Sequence, residues 1–148
     1  QCAIVILCHG PKQKALEKQE QKNLKEHSYK NWYDFCLGEW GTKWDIGGED
    51  CKVTKKKDGS AEFGFESAWS PPVEAYRKLE EQGFDVFAMY YEPGMAFCGT
   101  YSTDDGENLI EIKGSSKWAS THIPVELDNQ FNIVESMREW EEEDAEND

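Results

Sequence analysis

The 148-residue sequence is short of positive charge: 16 Lys and Arg stand against 30 Asp and Glu, with three His, for a formal net charge of −14. A surface of that sign cannot hold DNA or an anionic membrane over its whole extent, because phosphate binding depends on Lys and Arg releasing counterions. The deficit is uneven. Residues 1–57 carry 11 basic and 8 acidic side chains, net +3, whereas residues 58–148 carry 5 and 22, net −17. Basic surfaces are therefore the expected macromolecular partners, with no direct nucleic-acid binding and no membrane binding. Long hydrophobic runs are missing too. The strongly apolar run from Cys2 to Cys8 is too short to span a bilayer, and it lacks the cationic flank and cleavage pattern of a signal peptide. The five cysteines are odd in number and contain no Cys-x-x-Cys pair. Cys2 and Cys8 share one face of a strand pattern, where cysteine acts as a small buried hydrophobe. A soluble, intracellular chain in a reducing compartment is expected.

Catalytic motifs are equally scarce. There is no Gly-x-x-x-x-Gly-Lys-Ser/Thr phosphate loop, no Gly-x-Ser-x-Gly elbow and no His-Glu-x-x-His metal pair. His9, His27 and His122 are isolated from one another in sequence. The turn at Asp104-Asp105-Gly106 has neither the alternating oxygen ligands nor the distal glutamate of a calcium loop. The expectation is a protein that is not an enzyme, with no catalytic residues, no metal and no cofactor.

What is present suits a single mixed domain, long enough to bury about two-thirds of its unfolded surface. Its organising stretch is residues 61–99. Ala61, Phe63 and Phe65 alternate with Glu62, Gly64 and Glu66 as in a strand with one dry face. Ser70 is placed to cap a helix whose first position is Pro71, and Val73, Tyr76 and Leu79 make its apolar stripe. Gly83 ends it. Residues 84–91 are apolar on both faces and read as an interior strand, turned back at Pro93-Gly94.

The flanks fill in the order. Residues 2–8 read as a central strand and residues 12–26 as a surface helix with thin apolar support. Residues 29–46 hold Tyr29, Trp32, Tyr33, Phe35, Trp40 and Trp44; Asn31 is a cap for a short helix ended by Gly38 or Gly41. These rings either plug one end of the core or form a stacking wall for a planar ligand, with Lys43 for an anionic group. Strands at 51–57 and 60–66 flank Asp58-Gly59, a strong hairpin signal, and Lys55-Lys56-Lys57 blunts the edge. Further strands are expected at 95–103 and 107–113, then a polar connection through Trp118, His122 and Pro124. Ile133, Met137 and Trp140 recur at helical spacing before the run Glu141-Glu142-Glu143-Asp144-Ala145-Glu146. That end reads as an amphipathic helix fraying into an acidic tail.

Three motifs carry a resemblance. Trp40-Gly41-Thr42-Lys43-Trp44, Ala68-Trp69-Ser70-Pro71-Pro72, and Tyr91-Glu92-Pro93-Gly94 followed by Phe97-Cys98-Gly99 resemble the signature of YubB-like proteins. That family is encoded by phages and mobile plasmids, and the resemblance spans roughly residues 29–112. It implies a ferredoxin-like sandwich and no established activity. The order of elements agrees: an α+β domain over 1–114, its antiparallel sheet carrying helices on one face, with an aromatic insert at 29–46 and extra strands. Residues 115–148 would be a connection and an acidic C-terminal helix or tail.

The mobile-element resemblance and the charge together point to an inhibitor of a host defence system, of the anti-CRISPR or anti-restriction type, acting in the bacterial cytoplasm. It would bind the basic surface of a nucleic-acid-binding defence protein or complex, with carboxylates standing where phosphates sit. Carboxylates at i and i+3 or i+4 lie about 5–6 Å apart on a helix, which singles out Glu135, Glu139, Glu142, Glu143 and Glu146. The alternative is a protein that binds or sequesters a nucleotide signal through Trp40, Lys43, Trp44 and Trp69.

Overall fold

The structure, a computed structural model, describes residues 11–43 and 53–147. The expected strand at 2–8 and the expected ligand residue Trp44 lie outside the described residues. In chain order the elements are α1 (Pro11–His27), α2 (Trp32–Trp40), β1 (Val53–Lys55), β2 (Ala61–Phe63), α3 (Val73–Glu81) and β3 (Phe87–Glu92). They continue as β4 (Phe97–Ser102), β5 (Gly106–Glu111), α4 (Ser116–His122), α5 (Val125–Phe131) and α6 (Ile133–Asn147). This is an α+β arrangement with two antiparallel sheets among the described residues, β1-β2 and β3-β4-β5.

Turn chemistry explains the hairpins. In β1-β2, Gly59 takes φ +92°, Asp58 Oδ1 accepts the Ser60 amide at 2.9 Å, and Lys56 N donates to Ser60 O at 2.8 Å. β2 is three residues long, shorter than the expected 60–66, and of the strand expected at 51–57 the described residues show Val53–Lys55. Between β3 and β4, the Gly94 amide donates to Glu92 Oε1 at 3.0 Å, and Ala96 adopts φ +54° as the chain reverses. Between β4 and β5, Gly106 has φ +71° and Ser102 Oγ accepts the Asp105 amide at 3.1 Å.

The expected interior position of β3 is not met among the described residues, which leave out the expected strand at 2–8. Among the described residues β4 is the central strand, and β3 pairs on one side only, leaving Phe87 67% exposed. The apolar pattern of residues 84–91 reports something else: β3 is covered on both faces. Met89 and Tyr91 face the helices α4–α6, while Tyr90 packs on the opposite face, its hydroxyl over Gly99. A β-carbon at Gly99 would come within 2.5 Å of that oxygen. Periodicity reads faces, not edges.

The expectation of helices on one face is also corrected. Tyr76 of α3 packs against Tyr101 of β4, ring centroids 5.2 Å apart, on the Tyr90 side of the sheet. The other side carries α4, α5 and α6 around Cys98. Residues 115–132, expected as a polar connection, are two helices. Their buried residues Ala119, Ile123 and Leu127 recur every fourth position, but Pro124 splits the run into pieces of seven residues each. Pieces that short give weak periodicity. At the next junction Asn132 enters the left-handed region at φ +54°, and Asp128 Oδ1 accepts the Val134 amide at 2.8 Å, which starts α6.

The helix around Tyr76 begins differently from expectation. Its cap position is Pro72, with no side-chain bond, and Ser70 instead accepts at its carbonyl from Ser67 Oγ at 2.7 Å. Its end follows the expectation: Gly83 has φ +89°, Gly83 N donates to Glu80 O at 2.8 Å, and Phe84 N donates to Leu79 O at 3.1 Å. Likewise Asn31 caps α2 by accepting the Asp34 amide at 2.9 Å, and Gly41, not Gly38, ends it at φ +74°. Gly38 lies under the Tyr29 ring, where a β-carbon would sit 2.5 Å from Cε1.

The core therefore centres on Cys98, Ala119, Ile123, Leu127 and Ile133. Leu127 is 1% exposed and Ile133 0%. Leu127→Ala or Ile133→Ala is expected to lower unfolding free energy by about 2–5 kcal/mol, read from the midpoint of urea denaturation.

Candidate functional site

α6 carries seven acidic residues and one arginine between Ile133 and Asn147. Ile133 is buried, and Val134 and Met137 pack on the same core, which fixes which side of the helix faces inward. At 3.6 residues per turn, Glu135, Glu139, Glu142 and Glu146 fall on the opposite side, with Glu143 beside them. All five are exposed. From Glu135 to Glu146 the row runs about 16 Å at 1.5 Å per residue. Glu135 is paired with Arg138 Nη1 at 2.5 Å.

Glu141 stands apart. Its Oε1 accepts the Ser116 amide at 2.6 Å and its Oε2 accepts Ser116 Oγ at 2.7 Å. Ser115, at the cap position of α4, makes no side-chain cap bond, so Glu141, 25 residues beyond Ser116, caps that helix instead. Bonds from the Ser116 hydroxyl and amide, then the Arg138 charge, hold the Glu141 carboxyl below the usual glutamate range. The clamp ties α6 to α4 and thereby fixes the direction of the acidic row.

The aromatic insert divides. Tyr29 and Trp40 each meet Phe35 edge-on, with centroids 5.5 Å apart. Tyr29 donates to Glu39 Oε1 at 2.6 Å, and Glu39 is ion-paired with Lys78 of α3. Those bonds, the Lys78 contact first, lower the Glu39 pKa. This group joins α2 to α3; its rings are half-buried and lie outside the central core cluster. Trp69 is elsewhere in role: it is exposed, and Lys43 Nζ lies 5.1 Å from its ring centroid. Of the residues expected to line a ligand pocket, the structure brings together Lys43 and Trp69, while Trp40 is engaged with Phe35.

Two features escaped the sequence. One is the Glu141–Ser116 clamp; its only trace is a serine at a helix start that lacks a nearby acidic partner. The other is a tyrosine cluster on the α3 side of the sheet. Burial, then the Glu107 charge, pushes the Tyr76 phenol up to about 12, and Tyr90 donates to Glu107 Oε1 at 3.2 Å. Both phenols are neutral donors at physiological pH. No group of three or more His, Cys, Asp or Glu gathers for a metal among the described residues, and no helix there is long and apolar enough to cross a membrane.

No family model, no curated protein and no solved structure matches this chain. The site must therefore be argued from its own geometry.

Glu141→Ala is expected to lower the melting temperature by removing the α4 cap. Because the folded-state pKa is depressed, the stabilisation is present above the unfolded glutamate value and is lost as pH falls through the folded one. The gap in melting temperature between wild type and variant should therefore narrow as pH drops from neutral through about 4.3 and below.

Proposed function

We propose that this chain is a mobile-element inhibitor of a host defence machine, acting in the bacterial cytoplasm by protein binding rather than by catalysis. In this reading the full domain is a ferredoxin-like sandwich, extended by the β4-β5 strands and by α4–α6. The partner is a nucleic-acid-binding defence protein whose basic groove receives the carboxylates of α6 in place of phosphates. The single observation that carries it is the row Glu135, Glu139, Glu142, Glu143 and Glu146, exposed on a helix whose inner side is anchored in the core. Mimicry needs rigidity, since charges on a loose tail lose ordering entropy on binding. Core burial of Ile133 and the Glu141 clamp supply it.

A nucleotide-binding alternative has the Lys43–Trp69 contact in its favour. Against it, the Trp40 ring packs edge-on against Phe35 of its own helix.

Deleting α6 would strip Val134 and Met137 from the core, so the test neutralises charge instead. A chain with Glu139, Glu142, Glu143 and Glu146 all changed to Gln is expected to keep the wild-type melting temperature. In affinity capture from bacterial lysate at low salt, wild type should recover a nucleic-acid-processing complex that is lost in raised salt, and the quadruple variant should not recover it. Equal recovery by the two chains would end the mimicry reading.

A further inference from the structure

Trp69 holds a conformation that its side chain disfavours. Its φ is +65°, the left-handed region that a β-carbon penalises and glycine does not. The turn around it is firm: Ala68, Pro71 and Pro72 are buried, and Ser67 Oγ donates to Ser70 O across it. The ring gains little packing in return, remaining 65% exposed with the Lys43 ammonium near its face. An unfavourable backbone at a bulky, exposed aromatic is the pattern of a residue kept for contact rather than for folding.

We propose that Trp69 is the anchor of a protein-binding surface, its ring entering an apolar slot on the partner protein with the Lys43 ammonium held beside it. A protein fits better than a small molecule. With 65% of its surface open to solvent, the ring projects from the turn, where a partner surface can close over it. Tryptophan dominates protein-interface anchors because one ring fills one desolvated pocket. Contact with Lys43 restrains the ring before binding, which reduces the ordering cost. The anchor rests on the inhibitor reading, as a second contact with the same target.

The test compares Trp69→Gly and Trp69→Asn, both compatible with a left-handed backbone, with the full chain and with the quadruple Gln variant of α6. Each is titrated against the complex captured and purified with wild type. Both Trp69 variants should bind at least about tenfold more weakly at each salt concentration where wild type binds, the loss expected of an interface anchor. They should melt at or above the wild-type temperature. Unchanged affinity overturns the anchor while leaving the inhibitor reading in place if the Gln variant loses binding. Melting several degrees lower in both Trp69 variants also overturns it, because the ring would then be structural. A wild-type chain that captures no complex removes both readings.

Discussion

The whole arrangement depends on covering one face of a three-stranded meander. A small sheet with an uncovered apolar face does not stand alone in water, and here the cover is α4, α5 and α6 closing over Cys98, Met89 and Ile110. The burial of Leu127 and Ile133 decides where those helices lie. Everything functional on α6 inherits that constraint: once Ile133 and Met137 point inward, helical geometry sends Glu139, Glu142 and Glu146 outward. Packing thus sets the aim of the charge.

Concentrating that much negative charge works against folding, since like charges repel in the compact state. The structure offsets part of this locally. Glu141 is taken into two hydrogen bonds at the start of α4, where an anion is favoured by the exposed helix amides, and Glu135 meets Arg138. The same helix therefore holds carboxylates on two sides: Glu141 is bonded to the fold, while Glu139, Glu142 and Glu146 face solvent. Sequence spacing alone assigned the second set but gave Glu141 no partner.

Legibility followed the range of the interaction. Local chemistry could be read: the Asp58-Gly59 hairpin, the Asn31 cap, the Gly83 stop and the extents of α1, α3, β4 and β5 are all encoded within a few residues of themselves. Relations between distant segments could not. That β3 pairs on one side only among the described residues was hidden, because a strand that is apolar on both faces shows which faces are covered and not which edges are paired. The α4–α5 pair was hidden because Pro124 cuts its four-residue repeat. At Trp69 the local reading was wrong, since Ser70 and Pro71 resemble a helix start two residues too early, and the backbone at Trp69 turns left-handed instead.

The two proposed contacts answer different physical demands. A row of exposed carboxylates acts at long range, raising the encounter rate with a basic groove and fading as salt screens it. It holds weakly once docked, because exposed charges gain little from pairing in water. A desolvated ring does the reverse: it has no reach, but its burial slows dissociation, which is where most affinity among related complexes resides. An inhibitor that must displace nucleic acid from a groove needs speed against a polyanion and persistence afterwards. Carboxylates on a core-anchored helix supply the first, and an indole held out at φ +65° supplies the second.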